Sequence, residues 1–303
     1  MRRLLAASSL ILAASSVAYA DDPDPKFTFG KKDDVKNVTA PEWTASAEAG
    51  VVLTTGNSET TTATGGVHAS RKTGFNKFSL DATIAYAESA IKALDDKNGN
   101  GLVDDPSELV TIDTVTAETM LGKLRYDRYL SDYDSLYVAA IGTRDVPAGK
   151  RYDLGGQVGY SRRLQKTDSQ ETVAELGYDY AREQPVIGVG TDIHSIRGFI
   201  GTKVKMTVGT DLDASAEVLT NVNTETLNTG QSGSPFEDTR FNGHIAISSK
   251  IGKRLSAQTS LDVHYDHRPA PLVVKNVMFA PGVVLVAAPE DTIMKFELIY
   301  TFF

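Results

Sequence analysis

The sequence predicts an all-β fold: a transmembrane antiparallel β-barrel of about twelve strands, joined as an up-and-down meander. Three observations lead there. An export leader opens the chain, apolar and polar residues alternate from residue 42 onward, and the closing run Met294 to Phe303 is a strand rich in aromatic residues. The elements follow in chain order.

Arg2 and Arg3 precede an apolar stretch, 4–17, that is broken by Ser8-Ser9 and Ser15-Ser16, and Ala18-Tyr19-Ala20 forms a small-x-small cleavage site. These features predict a signal peptide over 1–20 that is removed after Sec-type export. A helix crossing a bilayer needs roughly 20 uninterrupted apolar residues, which neither this stretch nor a later one supplies. Membrane crossing therefore falls to strands, whose backbone groups are satisfied only when the sheet closes. Residues 21–41, dominated by Asp, Pro and Lys without a period, predict a flexible periplasmic N-terminal tail.

Composition agrees with this reading. Loss of Arg2 and Arg3 with the leader takes the formal net charge from -8 to -10, which argues against nucleic acid as a partner. The chain has no Cys, so a large exported domain must be held by a continuous sheet rather than by disulfides.

The barrel is expected over 42–303. Its first strand sets Trp43, Ala45, Ala47, Ala49, Val51 and Leu53 against Thr44, Ser46, Glu48, Gly50, Val52 and Thr54, one row for lipid and one for the lumen. The pattern returns with Phe78, Leu80, Ala82, Ile84 and Tyr86 against Lys77, Ser79, Asp81, Thr83 and Ala85, and again over 241–251. Runs of this kind predict strands at 42–55, 59–71, 75–90, 109–127, 133–145, 151–165, 171–184, 192–207, 211–223, 239–253, 254–267 and 290–303. The count is even, which returns the last strand to the side where the first began.

Connections alternate between tight turns near 72–74, 130–132, 166–169, 208–210 and 252–254 and longer loops at 91–108, 185–191, 224–238 and 268–289. Short turns belong to the periplasm and long loops to the exterior. Trp43, Phe78, Tyr126, Tyr133, Tyr300 and Phe302 then fall at the periplasmic rim, and Tyr86, Tyr152, Tyr180 and Tyr265 at the outer rim, as amphipathic rings do at headgroup level.

Several segments resemble a known family. Thr54-Thr55-Gly56-Asn57-Ser58 follows the Trp43 strand, then come Tyr126-Asp127-Arg128-Tyr129-Leu130-Ser131-Asp132, the run from Gly155 to Leu164, Glu175-Leu176-Gly177-Tyr178-Asp179-Tyr180, and Tyr265-Asp266-His267-Arg268-Pro269. Their order and spacing over nearly all of 43–303 are similar to the salt-induced outer-membrane proteins, the YdiY-like family numbered 481 among domains of unknown function. The resemblance implies an outer-membrane barrel of a Gram-negative cell and carries no catalytic residues over. The chain departs from it in two places: Phe303 is out of phase with the outward row that ends on Phe302, and an acidic insertion separates the third and fourth strands.

That insertion, 96–108, opens like a calcium loop, with Asp96, Asn98 and Asn100 at the first, third and fifth positions followed by Gly101. Leu102 would offer its carbonyl, and Asp104, Asp105 and Glu108 could complete the shell. The twelfth position is Ser107, so the loop is not a regular EF-hand. A structural calcium ion and a solvated acidic hairpin both remain open, and no other cofactor is implied.

The inward row mixes signs: the acids Glu48, Asp81, Glu175, Asp179, Glu217, Asp262 and Glu297 with the bases Lys123, Arg125, Arg163, Arg197, Lys203, Lys205 and Lys295. Either these charges pair across a narrow barrel or they line a polar channel and select solutes by charge. An enzymatic reading has little to build on. Adjacent His194 and Ser195 face opposite ways in a regular strand, and His264 with Asp266 lacks a nucleophile. The apolar loop 268–289 is expected to extend the last hairpin. The sequence thus points to a non-enzymatic barrel of unassigned cargo, a small passive channel or an envelope-stress barrel. The alternatives are a closed, partner-binding barrel with a calcium-stabilised loop and, less so, a lipid hydrolase. Its expected partners are outer-membrane lipids and, during biogenesis, the barrel assembly machinery.

Overall fold

The computed structural model describes residues 41–54, 59–94, 109–146, 149–186, 188–226, 232–269 and 289–302. The leader and most of the tail, the acidic insertion and the centre of the apolar loop lie outside the described residues.

Alternation becomes strand throughout. The elements are β1 (Glu42–Thr54), β2 (Glu59–Thr73), β3 (Asn76–Leu94), β4 (Leu109–Tyr129), β5 (Asp134–Asp145), β6 (Lys150–Lys166) and β7 (Gln170–Pro185). They continue with β8 (Thr191–Thr207), β9 (Thr210–Asn221), the two-residue strands β10 (Glu225–Thr226) and β11 (Ser232–Gly233), then β12 (Thr239–Lys250), β13 (Leu255–Asp266) and β14 (Glu290–Thr301). All but β10 and β11 form one closed antiparallel barrel of twelve strands, sealed where Ala47 pairs with Tyr300 and Ala49 with Leu298 across β1 and β14. Closure leaves no unpaired edge, the condition under which a sheet can sit in lipid. The long connection expected at 224–238 carries its own small ribbon, β10 paired with β11, which alternation could not reveal in two-residue strands.

Turn chemistry supports the meander. Gly74 takes φ 55° between β2 and β3, the left-handed conformation that a tight hairpin turn demands. Between β4 and β5, Ser131 Oγ accepts from the backbone N–H of Asp134 at 3.0 Å and donates to Asp134 Oδ2 at 2.7 Å. Thr167 Oγ1 similarly accepts from the Gln170 N–H at 2.9 Å before β7.

Burial is inverted relative to a water-soluble domain. Large apolar side chains such as Trp43, Ile84, Leu124, Leu176, Met294 and Phe296 stand exposed on the outer wall. Buried positions are mostly polar or charged, including Arg125, Asp127, Glu175, Arg197, Glu217, Asn242 and Asp262. An apolar exterior around a charged interior is stable only when lipid covers the outside.

Candidate functional site: the charged lumen

The lumen is organised by register. In the sheet, directly opposed residues share a face, and one inward row runs Asp127, Tyr137, Gly159, Gly177, Arg197 across β4 to β8. Tyr137 lies along this row over the two glycines. A Cβ on either Gly159 or Gly177 would approach the Tyr137 hydroxyl to 2.6 Å, so only glycine leaves the trough the ring occupies. At the far end Arg197 Nη1 donates to the Tyr137 hydroxyl at 2.9 Å.

Around that ring a network of ions closes. Glu175 on β7 is gripped from two sides, by Arg125 Nη2 on β4 at 2.7 Å and by Arg197 Nη1 on β8 at 2.7 Å. Arg125 also pairs with Asp127 at 2.7 Å, and its guanidinium sits 4.1 Å from the centre of the Tyr137 ring. Arg197 Nε donates to Glu217 on β9, whose second oxygen accepts from Asn242 Nδ2 on β12 at 3.0 Å. Since the Asn242 amide nitrogen is so used, its oxygen accepts from His264 Nδ1 on β13 at 2.9 Å. Beside it, His244 pairs with Asp262, which Lys295 on β14 approaches at 3.0 Å. Polar contacts therefore run from β4 round to β14.

At the end of the barrel that carries the longer connections the contacts jump strands. Lys150 on β6 reaches Asp266 at 3.4 Å on β13, five places away in the strand order, and Glu183 on β7 at 3.5 Å. Arg240 on β12 lies 3.4 Å from Glu183 and 3.6 Å from Asp238. Glu225, in β10, is buried next to Asp238, and that burial with the neighbouring charge raises its carboxyl from 4.5 to about 7.

The remaining arc, β1 to β3, is different. Its inward rows carry Ser46, Gly50, Thr62, Thr64, Ser70, Ser79 and Thr83, all half-buried, beside the buried Glu48, Lys72 and Lys77. Within this arc His68 stands between Glu48 at 3.4 Å and Asp81 at 2.9 Å, one on each adjacent strand.

All fourteen sequence-predicted lumen residues fall on inward rows. Lys203 and Lys205 are exposed at the end of the barrel that carries the β8–β9 turn, across from Asp213 and Asp211. Lys123, Asp81 and Lys295 are half-buried, Asp179 is buried opposite Gln157, and Glu297 accepts from Gln258 at 3.4 Å. Arg163 pairs with Glu171 at 2.7 Å and donates to the Asp132 carbonyl at 2.7 Å. Choosing by charge missed Tyr137, Asn242, His244 and His264, although their row parity marks them as inward. The calcium-loop candidates Asp96, Asn98, Asn100, Leu102, Asp104, Asp105 and Glu108 lie outside the described residues. Among the described residues no group of three or more His, Asp or Glu is placed to hold a metal ion. His194 faces outward against the Tyr178 hydroxyl, whereas Ser195 is buried on the inward row.

The solved structures to which this chain is similar share little sequence with it. A NanC porin is 8% identical over 85% of this chain and 98% of that one, with a TM-score of 0.44. The translocator domain of the autotransporter NalP from Neisseria meningitidis is 11% identical over 86% and 88%, at 0.40. An anion-selective porin from Comamonas acidovorans is 9% identical over 87% and 99%, at 0.37. Likenesses this distant transfer neither cargo nor selectivity, and no curated protein matches the chain. A family model does match, over residues 47–302, and the chain belongs to that family, described as a protein of unknown function, DUF481.

Proposed function

We propose that this protein is an outer-membrane channel of narrow bore, passing small polar solutes along the β1–β3 side of a lumen otherwise spanned by ion pairs. The observation that carries this reading is the contrast between the two arcs: buried charges that bridge several strands on one side, and on the other a run of half-buried Ser, Thr and Gly with Glu48, Lys72 and Lys77 among them. The export leader and the inverted burial support the outer-membrane location, with lipids as the surrounding partner and the assembly machinery as the route in. Solute choice would then rest on the charges bordering that arc, Glu48, Asp81, Lys295 and His68.

The bridged mouth favours a second reading, a closed barrel that acts through its outer loops. Planar-bilayer recording of refolded residues 21–303 separates the two. Small stepwise conductance with a reversal potential in a salt gradient supports the channel; silent insertion of folded barrel overturns it in favour of the closed form. In that closed form the 96–108 loop would hold calcium, and chelation would then lower the thermal midpoint of the wild type but not of a variant combining Asp96→Ala with Asn98→Ala. An unchanged wild-type midpoint would remove the calcium.

A further inference from the structure

At the outer ends of β12 and β13 the outward rows change character. Phe241, Ile245 and Ile247 on β12, with Val263 and Leu261 on β13, belong to the apolar wall. Just above them stand Thr239 and Tyr265, then the flanking residues Phe236 and Glu237 before β12 and His267 and Arg268 after β13. These last six residues line a wide, solvent-open cleft of about 490 Å³. That size lies within the roughly 300–1,000 Å³ typical of small-ligand pockets.

Its lining combines three features. Tyr265 Oη and His267 Nδ1 are hydrogen-bonded at 2.9 Å, holding two rings side by side. Arg268 Nη2 meets Glu237 Oε2 at 2.7 Å, placing a guanidinium and a carboxylate at the wall. Phe236 is 65% exposed and holds φ 66°, and it is the only described residue other than glycine in the left-handed region. That conformation is unfavourable for a phenylalanine, and an exposed ring recovers little of it by packing. The backbone thus presents an aromatic face to the cavity at the expense of local stability.

We propose that this cavity binds the phosphorylated sugar headgroup of an outer-leaflet membrane lipid. The argument is one of height and chemistry together. A lipid whose chains lie on Phe241, Ile245 and Val263 carries its headgroup to the level of Thr239 and Tyr265. There the Phe236, Tyr265 and His267 rings offer faces to the C–H side of a sugar, Arg268 offers phosphate the N–H donors that Glu237 does not take, and the other Glu237 oxygen accepts from a hydroxyl or amino group. The proposal rests on the membrane-barrel reading above.

The test uses refolded protein in detergent micelles, titrated separately with a phosphorylated disaccharide lipid, its dephosphorylated form, phosphatidylglycerol and a soluble sugar phosphate. Dissociation constants are read by native mass spectrometry, and Phe236→Gly and Arg268→Gln are compared with wild type. Glycine adopts φ 66° freely, so Phe236→Gly keeps or raises the thermal midpoint while removing the ring. The expected result is preference for the phosphorylated glycolipid over the other three probes, a roughly three- to tenfold weakening in Phe236→Gly, and loss of the phosphate preference in Arg268→Gln. Equal affinity of wild type and Phe236→Gly, equal binding of phosphatidylglycerol, or binding of the soluble sugar phosphate as tight as the lipid overturns the proposal. Insertion of the same preparation into vesicles is scored in parallel: barrel that inserts without discriminating sinks the headgroup site alone, whereas barrel that never inserts sinks the membrane reading.

Discussion

The arc from β4 to β13 and the arc from β1 to β3 have the same backbone and opposite interiors. In the first, side chains are long, buried and joined across several strands: Arg125 to Glu175, Arg197 to Glu217, Lys150 to Asp266. In the second many are short and half-buried, beside the buried Glu48, Lys72 and Lys77, and His68 lies between Glu48 and Asp81 on the adjacent strands. A barrel of this size has room that side chains must either fill or leave to water. Here one arc is filled by long, paired side chains, and much of the other is lined by short polar ones. Filling it with charge is a demanding choice, because buried ions repay their desolvation only when each is paired and hydrogen-bonded. The double grip on Glu175 and the ring of Tyr137 between the arginines meet that condition.

The contrast can be broken most forcefully at Arg197. Arg197→Ala leaves Glu175 and Glu217 without their shared cation, and uncompensated buried charge costs about 3–5 kcal/mol. Urea unfolding of refolded barrel should register that loss, and single-channel conductance should rise as the bridged arc opens. Unchanged stability would mean the network is ornamental to the fold.

A smaller loss is expected from Gly177→Ala. The new Cβ would lie 2.6 Å from the Tyr137 hydroxyl and 2.8 Å from the Val158 carbonyl. Tyr137 must leave its trough, at about 1–3 kcal/mol for overpacking. Fluorescence-monitored unfolding should show it, while alanine at Gly198, whose Cβ would meet nothing within 4 Å, should not.

At the outer end of the bridged arc the effect is local and depends on pH. Glu225 carries a carboxyl raised from 4.5 to about 7. An acid held above its ordinary value is best accommodated while protonated. The connection carrying Glu225 is therefore most stable below about 4.5, loses stability as pH rises toward about 7, and changes little beyond. Amide exchange in 221–238 should speed up between pH 5 and pH 8 more than intrinsic chemistry requires, and Glu225→Gln should remove the excess. An identical excess in that variant would place the cause elsewhere.

The β1–β3 arc should respond least in stability and most in flux. Thr83, half-buried on the inward row opposite Gly66, carries no charge, so a large ring there removes no member of an ion pair. Thr83→Trp should shift stability by roughly 1 kcal/mol or less and lower conductance clearly. Unaltered conductance would show that solutes do not pass on the β1–β3 side.

Much of this was legible before any coordinates. The period of two over 42–55, 75–90 and 239–253 placed strands and faces because a strand has only two faces, so parity alone assigns Glu48, Glu175 and Arg197 to the lumen. Parity says nothing of reach. Arg125 and Glu175 are 50 residues apart, and Lys150 and Asp266 are 116 apart. Nothing local links them. The role of Gly159 and Gly177 was equally hidden, because each is an unremarkable glycine until Tyr137 from another strand is laid over it. The ribbon of β10 and β11 and the left-handed Phe236 sit where no periodic signal exists.

By itself, then, the sequence determined that this chain is a barrel, how many strands close it and which side chains look inward, because alternation and turn residues are properties of neighbours along the chain. Only the tertiary structure decided which inward charges meet, which arc they fill, and where the outer rim opens into a cavity. Those outcomes depend on the stagger of strands around a closed sheet, and stagger is settled when the ends meet.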